Sequence, residues 1–392
     1  MHTNRPTRAL VVASLCAAAV LAASPGANAS PKLQIGLVDT TETLNGNPGR
    51  VFPVLKQLGV QVLRVNLSWG GRLGVDVVRY TLRWDHIALR RPSQAVNPAD
   101  PAYDWSVYDR AVNYAAQYGI RILFTIDFTP RWANDGAGEN VAPRDANDLR
   151  DFAHAAARRY SGTYLGADGR ALPPVRMWTA WNEPNNPVFL SPQFTRVGRR
   201  WVIQSARDYA RICTAVYDGV HSTELRGERV ACGATAPRGN NSPLSGRPSV
   251  SPIAFARALK AAGLDRFDAY DHHPYGRGEA PGAPPAGHSQ VTLANIDDLT
   301  DEVARLWGPK RLWIGEYGYE TNPPDHSFGV SPKLQAEYVT QAYGLARANP
   351  SVDLMIWFLL RDEKKPSGWQ SGFLTAAGRP KPAFTAFQHL RR

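Results

Sequence analysis

Cysteine is scarce in this chain of 392 residues, with only Cys16, Cys213 and Cys232 present. No Cys-x-x-Cys pair and no Cys/His metal spacing occurs, which removes dithiol redox chemistry and zinc-finger-like sites. No stretch reaches the roughly 20 apolar residues of a membrane helix, and no Gly-rich phosphate loop follows the first strand-like run, as a dinucleotide fold would require. Basic residues form no cluster interleaved with aromatics, only the pairs Arg158-Arg159, Arg199-Arg200 and Arg391-Arg392. That scatter excludes a nucleic-acid-binding element. Internal repeats and low-complexity tracts are also lacking, so nothing divides the chain into separate units.

The chain opens with Arg5 and Arg8, then a small apolar run from Ala9 to Ala23, then Ala27-Asn28-Ala29. This order of basic start, apolar stretch and small-x-small site predicts a secretory signal peptide over 1–29 and a secreted mature protein over 30–392. Loss of Arg5 and Arg8 takes the net charge from +11 to +9, a basic surface that also suits an acidic polysaccharide. In an oxidising compartment Cys213 and Cys232 are either bridged or separately buried. The eleven tryptophans exceed what packing usually demands, so some should line a site.

Short apolar runs alternate with helical patterns along the rest of the chain, the mark of βα units around a parallel sheet. Strands are expected at 33–38, 62–67, 120–126, 176–181, 229–234, 269–273, 312–315 and 352–358. Between them Trp105, Tyr108, Val112 and Ala115 share a helical face, as do Leu334, Tyr338, Ala342 and Leu345; a last helix is expected over 382–390. Eight such units predict a single (β/α)8 barrel, whose functional loops lie at the C-terminal strand ends. The loop over 68–104, with Trp69, Tyr80 and Trp84, is among the longest.

Two glutamates fall just past strands on opposite sides of that mouth. Glu183 lies in Trp181-Asn182-Glu183-Pro184 at the end of the fourth strand, and Glu316 in Trp313-Ile314-Gly315-Glu316-Tyr317-Gly318 at the end of the seventh. Two carboxylates flanking a bound sugar are what cleavage of a glycosidic bond requires. These two segments together resemble clan A of the retaining glycoside hydrolases, which includes cellulase-like and β-xylosidase-like families. The resemblance implies that Glu183 is the acid/base, that Asn182 contacts a sugar hydroxyl and that Glu316 is the nucleophile. At the third strand Asp127-Phe128-Thr129-Pro130 replaces a histidine common among the cellulase-like members, which favours the β-xylosidase-like family or a neighbouring one outside the known families.

Further positions fit the same pattern. Arg64 matches the strand-two arginine beside the nucleophile, or is paired within the barrel floor. His273 and Tyr275, two apart on one face, match the His-x-Tyr after strand six, or are satisfied core residues; His272 points the other way and is structural. Trp357 corresponds to the strand-eight tryptophan that floors the sugar subsite, or packs in the core. Asp127 hydrogen-bonds a sugar or caps a turn, and Trp132 is a weaker loop candidate, as are Trp69 and Trp369.

Hydrolysis of a β-linked glycan by a monomer without cofactor is therefore the expected function, with a carbohydrate-binding barrel that lacks catalysis as the alternative. A metal enzyme built on His272-His273 and His86 is disfavoured, because adjacent strand residues face opposite ways and cannot share one ion. Sugar identity, linkage and endo or exo action are not encoded legibly.

Overall fold

The computed structural model describes residues 33–70, 87–287 and 289–390. The expected signal segment 1–29, with Cys16, lies outside these, as do Tyr80, Trp84, His86 and Arg391-Arg392. Eight strands form the barrel: β1 (Gln34–Val38), β2 (Val62–Ser68), β3 (Arg121–Asp127), β4 (Met177–Ala180), β7 (Arg229–Thr235), β8 (Ala269–His272), β9 (Arg311–Tyr317) and β10 (Val352–Phe358). They close in the order β1-β10-β9-β8-β7-β4-β3-β2, and every pair is parallel. The eight expected strands are thus present, with ends shifted by a residue or two.

Helices α1 (Pro48–Gln57), α2 (Ser106–Gln117), α3 (Ala146–Arg159), α4 (Gln204–His221), α5 (Pro252–Ala261), α6 (Ile296–Trp307), α7 (Pro332–Ala348) and α8 (Pro382–His389) cover the barrel. Local chemistry sets their starts. Ser331 Oγ accepts from Leu334 N at 3.2 Å ahead of Pro332 at the first helical position of α7, and Asp145 caps α3 through Asn147 N at 2.9 Å; both satisfy an amide that the first turn would otherwise orphan. Among the described residues, no helix is long and apolar enough to cross a membrane.

One element had no sequence expectation. Strands β5 (Phe194–Val197) and β6 (Arg200–Ile203) form an antiparallel hairpin, turned by Gly198 at φ +59°, a conformation glycine adopts freely. Cys213 of α4 and Cys232 of β7 are joined in a disulfide, their Cα atoms 6.0 Å apart.

Strand alternation sorts side chains into two cores. Val38, Val62, Leu123, Met177, Ala231, Ala269, Trp313, Leu354 and Ile356 fill the barrel interior, while Leu63, Val65, Phe124, Trp178, Tyr270 and Ile314 pack outward under the helices. The next inward residue on several strands is polar: Arg64, Thr125, Thr179 and Asp271, all fully buried. An apolar plug thus carries a polar layer, and the site stands on that layer.

Candidate active site

Arg64 organises the layer. Its guanidinium is fully buried and always charged, so its partners must replace water. Nε donates to Thr125 Oγ1 (2.8 Å), Nη1 to Gly315 O (2.9 Å) and Glu316 Oε1 (2.6 Å), and Nη2 to Asn182 Oδ1 (2.7 Å). Because arginine only donates, Asn182 must turn its oxygen to Arg64, which leaves its amide NH₂ for the cleft that Asn182 lines.

Glu316 reaches this layer through an irregularity. With Trp313 facing inward, plain alternation would send residue 316 outward. The register between β9 and β10 instead slips between Met355↔Ile314 and Trp357↔Tyr317, so three steps of β9 match two of β10. This bulge re-aims Glu316 into the barrel mouth. Gly315 permits it: a Cβ there would collide with the Asp271 carboxylate, whose Oδ1 accepts from Gly315 N at 2.9 Å. Asp271, in turn, accepts from Thr179 Oγ1 at 3.3 Å.

Tyr275 completes the surroundings of Glu316, its hydroxyl donating to Oε2 at 3.1 Å. Burial, with Glu316 alongside, pushes the Tyr275 pKa well above its ordinary value, so the phenol keeps the proton it donates. Burial by itself would raise the Glu316 pKa, but His273, Arg64 and these hydrogen bonds outweigh it and hold the carboxyl below its ordinary value. Glu316 is thereby held as a carboxylate.

Glu183 follows β4 on a turn with Trp181 at φ +65° and Glu183 itself at φ +39°, a left-handed backbone that costs a non-glycine residue about 1–3 kcal/mol. The turn is held by Glu183 N donating to Ala234 O at 2.8 Å and by Trp181 Nε1 donating to Phe189 O at 2.7 Å. Asn186 Nδ2 donates to Glu183 Oε2 at 3.0 Å. Between the glutamates stands His273, with Nδ1 3.2 Å from Glu183 Oε1 and 3.8 Å from Glu316 Oε2. Burial opposes charge on this imidazole, yet Glu316 and Glu183 together raise its pKa. One atom each of Glu183, His273 and Glu316 lies within 4.8 Å of the others.

The structure thus gathers Arg64, Asn182, Glu183, His273, Tyr275 and Glu316 at one point, with Asn182, Glu183, Tyr275 and Glu316 lining a cleft of about 1190 Å³ and Arg64 and His273 buried behind it. His272 faces away: Thr235 Oγ1 and Val291 O hold its ring nitrogens, and burial depresses its pKa to about 3.

Three of the candidate sugar contacts lie away from the cleft lining. Trp357 is fully buried, stacked on Phe373 at 5.1 Å and donating to Ser371 O at 2.9 Å; Leu354 and Ile356 face the barrel interior, so Trp357 faces the helices, and Phe358 and Trp369 line the cleft instead. Asp127 is fully buried at the end of β3, with its neighbour Phe128, not Asp127, at the cleft wall. Trp132 lies against Trp69, edge to face at 5.7 Å, under the Arg91 guanidinium at 4.6 Å, drawn there by the short helical turn over Arg131–Ala133. Asn186 and Asp271 had no expectation, since each acts through another residue and carries no motif.

The fold is shared with solved glycoside hydrolases. A family 39 glycoside hydrolase from Bacteroides cellulosilyticus superposes with TM-score 0.61 at 18% identity over 92% of this chain. A GH39 β-xylosidase from Caulobacter crescentus gives 0.56 at 17%, covering 92% of this chain and 70% of its own; the GH53 catalytic domain from Ignisphaera aggregans gives 0.55 at 15%, covering 93% and 98%. The chain spans 63% of the length of the first. No protein-family model and no curated protein matches the sequence.

Proposed function

We propose that the chain is a retaining β-glycoside hydrolase, with Glu316 as nucleophile and Glu183 as acid/base. The observation that carries this is the unequal pairing of two carboxylates across one cleft. A Glu316 oxygen lies within 4.8 Å of a Glu183 oxygen, close to the ~5 Å spacing of double displacement and short of the ~6.5 Å that leaves room for an inverting water. Of the two glutamates it is Glu316 that pairs with the buried Arg64 guanidinium, as suits an attacking carboxylate.

In the first step Glu316 attacks the anomeric carbon while Glu183 protonates the departing oxygen. Glu183, now ionised, then deprotonates the water that cleaves the glycosyl ester, and the Glu316 carboxylate leaves with the electrons of that bond. Asn182, fixed by Arg64, offers its NH₂ to a ring hydroxyl, and Tyr275 hands its hydrogen bond to the ester oxygen as Glu316 loses its charge. Export, proposed from residues 1–29, agrees with the Cys213–Cys232 disulfide.

Hydrolysis of a panel of aryl β-glycosides tests the reading. Glu316→Gly should lose activity and recover turnover with azide as the α-glycosyl azide, whereas Glu183→Ala should yield the β-azide. Full activity in either variant without azide would remove that residue from its role.

A further inference from the structure

The cleft is electrostatically divided. In the barrel β4, β7 and β8 are neighbours, and the loops following them carry Glu183, Arg238, Arg247 and Arg277 around one half of the cleft. The opposite half, after β9 and β10, carries Glu316, Phe358 and Trp369. No hydrogen bond or ion pair engages any of the three guanidinium groups among the described residues. Arg247 and Arg277 are exposed, and Arg238, which Arg277 neighbours, is half-buried.

Arg238 is held in place by the catalytic turn itself. Asn185, two residues past Glu183 and fully buried, accepts from Ala236 N at 2.8 Å and donates to Ala236 O at 3.1 Å and Val250 O at 2.8 Å. It thereby clamps both ends of the loop that bears Arg238. Gly239 allows the strands of that loop to cross, since a Cβ there would strike the Val250 backbone. The carboxylates that act on Arg238 are Glu183 and Glu279, and Glu279 Oε2 is occupied by Arg277 N at 2.9 Å. Burial and the neighbouring Arg277 both press against its charge, so this cation is partly desolvated and, among the described residues, bonded to no carboxylate, an arrangement that an incoming anion relieves.

Glu183 touches the oxygen that departs with the leaving sugar, so the half-cleft beyond it receives that sugar. We propose that this half binds a leaving sugar that bears an oxyanion, a carboxylate or a sulfate ester, held by Arg238 with Arg247 and Arg277 around it. The orientation rests on the hydrolase reading; the anion site does not. A uronic acid places its carboxylate about one bond length off the ring, where a planar guanidinium can bind it in bidentate fashion. The basic surface would steer such chains toward the cleft.

The probes are β-xylosyl, β-glucosyl and β-galactosyl disaccharides whose reducing sugar is glucose, glucuronic acid or glucose 6-sulfate. kcat/KM is measured for the full chain, and Kd by titration on the Glu316→Gln protein, where no turnover is needed. An acidic probe should be preferred over its neutral partner by at least about tenfold, the worth of one charge-assisted hydrogen bond. The preference should weaken with salt, fall below about threefold in Arg238→Gln, and survive in part in Arg238→Lys, which keeps the charge without the fork. Which acidic probe wins identifies the carboxylate or the sulfate. Equal handling of neutral and acidic probes, or a preference unchanged in a folded Arg238→Gln, overturns the proposal while leaving hydrolysis standing. Discrimination in Kd with no hydrolysis of any probe would instead overturn the hydrolase reading and keep the anion site.

Discussion

Arg64 Nη1 lies 2.6 Å from Glu316 Oε1, the guanidinium fully buried and the carboxylate 12% exposed. The same nitrogen donates to the carbonyl of Gly315, so the arginine grips both the bulge and the side chain that the bulge presents. Removing one member of a buried pair strands the other and costs about 3–5 kcal/mol. Arg64→Met should lower the thermal midpoint and reduce kcat/KM by several orders of magnitude. Arg64→Lys should keep more stability yet lose the bond to Asn182 and with it most activity. Thermal melts with kinetics on the same preparations check both; wild-type activity in either variant would contradict the assignment.

Tyr275 should separate chemistry from stability. It is half-buried and makes one hydrogen bond to Glu316, so Tyr275→Phe should reduce kcat by about ten- to a hundredfold, the value of a bond to a charged group. The melting temperature should barely move. An equal fall in stability and unchanged kcat would make the tyrosine a packing residue.

Gly315→Ala tests the bulge. The added methyl meets the Asp271 carboxylate, and overpacking of this kind costs about 1–3 kcal/mol. Activity should fall more steeply than stability, because the displacement falls on the residue before Glu316. A silent substitution would show that the barrel mouth accommodates the methyl.

Stability should peak on the acid side of neutrality. Glu316 titrates below its ordinary 4.5 in the fold, so its contribution is complete above that value and is lost as pH falls through the folded value. His273 is raised above 6.5, so its contribution is complete below 6.5 and is lost as pH rises through the folded value. Burial raises Asp39 from 3.8 to about 7, which makes its ionisation a growing cost between those values. Asp271, raised chiefly by burial, acts in the same direction. Melting temperatures from pH 4 to 9 should therefore decline through neutrality; a maximum above about 7.5 would contradict these signs.

The donor atoms of Glu183, His273 and Glu316 lie close enough to hold a cation. Arg64, though, already supplies positive charge at Glu316, and the raised pKa of His273 keeps a proton where an ion would need a lone pair. Excess chelator should leave hydrolysis unchanged. A loss restored by a divalent ion would refute this.

The barrel was legible because each strand repeats one rule, apolar outward and inward by turns, at intervals that leave room for a helix. The pairing of Arg64 with Glu316, from strands distant in the chain, was legible only through resemblance, since plain alternation would point Glu316 to the wrong face and a bulge leaves no mark in the residue pattern. Trp357 shows the converse: it lies on a regular strand, and the parity set by Leu354 and Ile356 favours the core-packing alternative by assigning it outward. The hairpin β5–β6 escaped because Arg196, Arg199 and Arg200 mask its alternation. Arg238 read as one more scattered surface charge, and only the folded loop brings it to Glu183.

The central claim is most directly tested by trapping the covalent intermediate. The wild-type chain is incubated with a 2-deoxy-2-fluoro β-glycoside of whichever sugar it hydrolyses, then digested and mapped by mass spectrometry. One fluoroglycosyl group should appear on the peptide that contains Glu316 and be absent in Glu316→Gln. An adduct on another residue, or an active enzyme that forms no adduct and releases the inverted anomer first, would contradict the account.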